Sequence, residues 1–125
     1  MKKVTIADRL GQINGGRPDI MGGFQADGSA MIGLAHIAAG STDHFWERHD
    51  GGDEILYLLE GQAVFTSIAG DGAQTELAVS AGDLIFLARN EAHRARVTAD
   101  LKLIFVTPED GNTAWTDTPD AIGRH

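Results

Sequence analysis

The chain has 125 residues and a formal net charge of −8, from ten Lys+Arg against eighteen Asp+Glu. That length fits one domain over residues 1–125, and the acidic balance argues against nucleic-acid and anionic-membrane partners, which need a basic face. The lack of cysteine excludes thiol catalysis and thiolate metal sites.

The start, Met1-Lys2-Lys3-Val4, is basic without a following apolar run, so it does not read as a signal peptide, and no stretch has the length of a membrane span. The expected location is the cytoplasm. Residues 1–23 hold Asn14-Gly15-Gly16 and Arg17-Pro18-Asp19, and are expected to add one or two peripheral strands. From Asp27 onward turn signals recur about every ten residues, the rhythm of an all-β sandwich or barrel. Between them the expected strands are Met31–Ala38, Glu54–Leu59, Gln62–Ile68, Thr75–Val79, Leu84–Ala88, His93–Thr98 and Leu101–Thr107. Val, Ile, Phe, Tyr and Thr are frequent in several of them, as half-buried pleated strands prefer. Turns are expected at Glu60-Gly61 and Ala99-Asp100 as well as at Gly70-Asp71-Gly72. Leu84–Ala88 is apolar on both faces, which points to a central strand. The end, residues 108–125, reads as an extended tail pinned by Trp115.

The residues that carry chemistry are the histidines and their neighbours. Glu47 and His49 lie two apart, hence on one face of an extended chain. Glu54 follows across Asp50-Gly51-Gly52-Asp53, and a hairpin there would return it beside His49. His93 opens a later strand. If that strand lies beside the first, two imidazoles and two carboxylates meet, a set that suits iron, manganese, zinc, nickel or copper. The alternative is that these are separate surface or packed residues, as isolated histidines in β-proteins usually are.

Two stretches resemble the motifs of the cupin superfamily. Gly40-…-Glu47-Arg48-His49-…-Glu54-…-Gly61 is similar to its first motif, Gly, five residues, His-x-His, three or four residues, Glu, six residues, Gly. Gly82-Asp83-Leu84-Ile85-Phe86-Leu87-Ala88-Arg89-Asn90-Glu91-Ala92-His93 is similar to the second. The segment Asp53–Gly61 is especially close to the small conserved-barrel cupins. The likeness covers roughly residues 30–107. It departs at Glu47, which replaces the first His and follows Gly40 by six residues, at Ala88 and Asn90, which replace Pro and Gly, and at Val97, which replaces Asn.

The resemblance implies an antiparallel jelly-roll barrel with Glu54, Leu56 and Leu58 facing inward, together with His93, Ala95 and Val97. It implies one divalent transition metal on His49, Glu54 and His93, with Glu47 as a fourth ligand or pointing away. Its implied functions are a metal-dependent oxygenase or isomerase on a small organic molecule, or a small-ligand binding or sensor module with or without metal. It also implies a homodimer, since Ile55, Tyr57 and Leu59 would give an apolar outer face. Further candidates rank below these. His44 is placed at the mouth as a proton carrier, with Glu47 if that residue is not a ligand. Arg89 is an anion-binding candidate at a rim turn. Arg94 and Arg96 read as solvated strand charges, His36 as a packing residue, and His125 as a terminal one.

Overall fold

Alternation of apolar and polar side chains sets which way each strand faces. The computed structural model describes residues 1–116. Its elements in chain order are β1 (Lys2–Thr5), a five-residue helix α1 (Ile6–Leu10), β2 (Ala30–Ile37), β3 (Phe45–His49), β4 (Glu54–Ile68), β5 (Gln74–Ser80), β6 (Asp83–Leu87), β7 (Ala92–Pro108) and β8 (Asn112–Thr116). No described helix is long and apolar enough to cross a membrane.

All pairings between these strands are antiparallel, and the fold is all-β as expected. They divide into two halves that share the long strands β4 and β7. One half runs β1, β6, the first part of β4, the last part of β7, then β2. The other runs β5, the last part of β4, the first part of β7, β3, then β8. The halves face each other across one core, to which Leu56, Leu58, Ile85 and Leu103 contribute from the first and Phe65, Val79 and Val97 from the second.

Two expected turns are bends instead. Glu60-Gly61 and Ala99-Asp100 lie inside β4 and β7, where the pairing register shifts between Leu58 and Ala63. Gly61 has φ +96°, and a Cβ there would sit 2.1 Å from the Asp100 carbonyl oxygen. Glycine therefore permits a bulge at which both strands turn the corner together. The Gly70-Asp71-Gly72 turn does form, closing the β4–β5 hairpin with Ala69 N–H donating to Ala73 O at 2.9 Å.

The expected hairpin between His49 and Glu54 does not exist. β3 pairs with β7 and β8, whereas β4 pairs with β5, β6 and β7. Asp50-Gly51-Gly52-Asp53 is a crossing between the two halves, and the 110–111 backbone packs on it, with Asp50 N–H donating to Gly111 O at 2.9 Å. A Cβ on Gly51 would meet Asp110 O at 2.3 Å, so glycine lets the C-terminal segment approach. That segment, expected to be a tail, is strand β8, with Trp115 opposite Trp46. His125 and the rest of 117–125 lie outside the described residues.

Candidate metal centre

Three strands place the cluster. β3 presents Glu47 and His49 on its inner face, β4 opens with Glu54, and β7 carries His93 in register with Glu47 and with Ser67 of β4. His49, Glu54 and His93 are buried at 5, 6 and 5% exposure, whereas the Glu47 side chain is 41% exposed. One ligand-type atom from each of the four lies within 4.8 Å of the others. His49 Nε2 is 3.3 Å from Glu54 Oε1 and 3.5 Å from Glu47 Oε2. His93 Nε2 is 3.5 Å and 3.7 Å from the same two oxygens.

These separations decide what the cluster fits. They exceed N–H···O hydrogen bonds of about 2.7–3.2 Å. Two atoms each about 2.1 Å from one tetrahedral metal lie about 3.4 Å apart. His49 Nε2 is buried without a hydrogen-bond partner, aimed at two carboxylates. A buried carboxylate such as Glu54 requires a compensating charge. The donor set, two imidazoles and two carboxylates, therefore fits a divalent transition metal.

Two residues outside the recognised motifs hold the donors in place. Asn112, on β8, donates from Nδ2 to Pro108 O at 2.8 Å, which leaves its Oδ1 to accept from His49 Nδ1 at 2.8 Å. One proton is thus held on Nδ1, and Nε2 is the ring nitrogen turned toward the cluster. The Thr107 hydroxyl donates to Glu54 Oε2, leaving Oε1 toward the histidines. Thr107 follows the inward alternation of Leu101 and Leu103, so its face was legible in the sequence. Asn112 carried no such signal, because it reaches the site only through β8 pairing.

The close approach of His49 and then of His93 holds the Glu47 carboxyl down at about 2. Burial disfavours charge on His49, but its contacts with Glu47 and Glu54 prevail and raise the imidazole to about 10. An imidazole ligates only when deprotonated, so metal binding at His49 would release a proton.

The cluster lies on the wall of a cavity of about 280 Å³, otherwise lined largely by apolar side chains including Ile37, Leu56, Phe65, Leu103 and Phe105. Ala95 also lines it, as its alternation with His93 requires. His44 is exposed and not among the lining residues, so the structure leaves it out of the mouth. Arg89 is not a free anion site: its guanidinium is held by Asp27 and by Asp50 O. Arg94 lies over the Trp46 ring at 4.6 Å. His36 is exposed, 3.7 Å from Asp100, and faces away from the cavity. Asn90 takes the left-handed turn expected of it, at φ +66°, and its N–H donates to His49 O at 3.1 Å, tying the second motif to the first.

An antiparallel β-sandwich with a His/Glu cluster on its cavity wall defines a class of protein, and sequence comparison identifies it. The family model described as a cupin domain matches residues 33–107. The chain belongs to the cupin family. Two curated acireductone dioxygenases, from Rhodopseudomonas palustris strains TIE-1 and ATCC BAA-98 / CGA009, are each 41% identical over 71 residues, covering 57% of this chain and 42% of theirs. The chain thus spans less than half the length of these relatives. Among solved structures, a deletion mutant of Bacillus subtilis oxalate decarboxylase matches with a TM-score of 0.59 at 19% identity, over 70% of this chain and 24% of that one. The same enzyme determined at pH 4.6 matches with a TM-score of 0.59 at 19% identity, over 70% of this chain and 23% of that one. At that identity the likeness concerns the fold alone.

Proposed function

We propose that this chain is a metal-dependent cupin enzyme of the dioxygenase type, with one divalent transition metal held by Glu47, His49, Glu54 and His93 and a small organic substrate in the adjoining cavity. The observation that carries the reading is the convergence of four donor atoms, spaced as around one ion, on an apolar cavity wall. The likeness to acireductone dioxygenases supports the reaction type.

A bound transition metal supplies Lewis-acid polarisation and, for iron, manganese or copper, electron transfer to substrates. The chain supplies orientation and exclusion of water. Asn112 holds His49, and Thr107 holds Glu54. Glu47, with its carboxyl held at about 2, stays ionised at neutral pH and suits ligation better than proton transfer. Among the described lining residues there is no further His, Asp, Glu or Lys, so proton transfer falls to the cluster or to water.

An oxygen-electrode screen of defined metal forms against small organic candidates, run beside thermal-shift assays, tests the proposal. Oxygen uptake is expected with one metal form, lost on chelation and in His93→Ala. Ligand-dependent stabilisation without turnover would identify a binding module instead, because a ligand that binds only the folded state raises its melting temperature. Rearrangement of a candidate without oxygen uptake would identify an isomerase.

A further inference from the structure

The wall around the cluster restricts what can enter. We infer that the cavity takes a compact, apolar-bodied molecule with one oxygen-donor head and at most a single negative charge, an enolate, phenolate or monocarboxylate, and rejects small dicarboxylates. The inference rests on the reading of the cluster as a metal centre.

Glu47 and Glu54 bring two negative charges, and a divalent ion with neutral His49 and His93 balances them. No Arg or Lys is among the described residues lining the cavity. The arginines next to the ligands in sequence alternate to the opposite strand faces, Arg48 pairing with Asp50 at 2.8 Å and Arg94 stacking over Trp46. The polar lining groups, Thr107 and Asn112, are neutral and already hold Glu54 and His49. A dianion such as oxalate would therefore bring two uncompensated charges against the apolar wall, and burying unpaired charge is costly. A singly charged or neutral head leaves at most one, and an apolar body gains from contact with Ile37, Phe65 and Phe105. At about 280 Å³ the cavity falls just below the range of roughly 300–1,000 Å³ typical of pockets for drug-sized ligands, hence the restriction to compact molecules.

The test uses nickel(II)-loaded protein, with metal content measured before calorimetric titration. The probes are tropolone, a singly charged oxygen donor on an apolar ring, and oxalate. Each affinity is normalised to that for nickel free in the same buffer. Tropolone should be favoured over oxalate by roughly tenfold or more, since like-charge juxtaposition disfavours the second carboxylate. Met31 lines the cavity and is 42% exposed, so Met31→Lys adds a cation with little risk to folding. That variant should narrow the preference several-fold. Equal or tighter normalised binding of oxalate by loaded wild-type protein, or a preference unmoved in Met31→Lys, overturns the inference while leaving the metal centre intact. Failure to take up nickel is seen separately, in the metal analysis, and overturns the metal reading on which the inference stands.

Discussion

Asn112 ties the last described strand to the first motif, because its amide fixes the proton of His49 on Nδ1. Asn112→Leu should lower metal affinity about 10–100-fold, the usual effect of removing a partner that orients a ligating imidazole. Competition against a chromogenic chelator measures it, and unchanged affinity would remove Asn112 from the site. At Glu47, replacement by His should keep metal binding and shift metal preference toward softer ions. If Glu47→Ala binds metal as tightly as wild type, Glu47 is a neighbour and not a ligand. Glu47, His49, Glu54 and His93 were legible because the spacings from His49 through Glu54 to Gly61, and from Gly82 to His93, survive where several residue types change. Asn112 was not legible: it lies beyond residues 33–107, and the pairing of β8 with β3, which sets it opposite His49, delivers it.

Elements that alternate cleanly were readable, and those that depend on long-range pairing were not. Leu56 and Leu58 are buried and Ile55 and Tyr57 less so, as the period of two requires. β3 is short and half polar, Phe45-Trp46-Glu47-Arg48-His49, and gave no strand pattern by itself; pairing with β7 and β8 makes it one. Glycine at 61 was read as a turn because a bulge and a turn share the same residue chemistry. That bulge joins the two halves of the barrel. Gly61→Ala should destabilise the protein by about 1–3 kcal/mol from the left-handed backbone alone, with more from the clash at Asp100 O. Urea unfolding measures this, and a midpoint unchanged from wild type would show that the bend does not need glycine. In the core between the halves, Leu58→Ala should cost about 2–5 kcal/mol, because Leu58 has 0% exposure.

Across the whole molecule the first half of the barrel carries an apolar outer face. Ile32, Val106, Ile55 and Phe86 form one cross-strand row, and Leu34, Ile104, Tyr57 and Leu84 the next. The segment around Gly22 covers Phe86, but Ile32 and Leu34 remain 77% and 76% exposed. Beside the rows Lys102 pairs with Glu60 at 3.3 Å, His36 lies 3.7 Å from Asp100, and Lys2 Nζ sits 4.6 Å over the Phe86 ring. In a chain of net charge −8 this largely apolar face is where a second copy can approach, and we propose a homodimer across it. Light scattering should give a dimer mass for wild type and a monomer mass for the double variant Ile32→Glu, Leu34→Glu; a wild-type monomer at micromolar concentration would contradict it. The alternation of Ile55, Tyr57 and Leu59 had already pointed to an apolar outer face, although the β2 residues that extend it became visible only through the β2–β7 register. The proposal that one metal ion sits among Glu47, His49, Glu54 and His93 is checked by elemental analysis of tag-free protein beside His49→Ala and His93→Ala. It predicts about one divalent transition metal per wild-type chain and strong loss in both variants, since each removes one of at most four ligands. Full stoichiometric metal in both variants, or a wild-type chain that takes up none when metal is supplied, would contradict it.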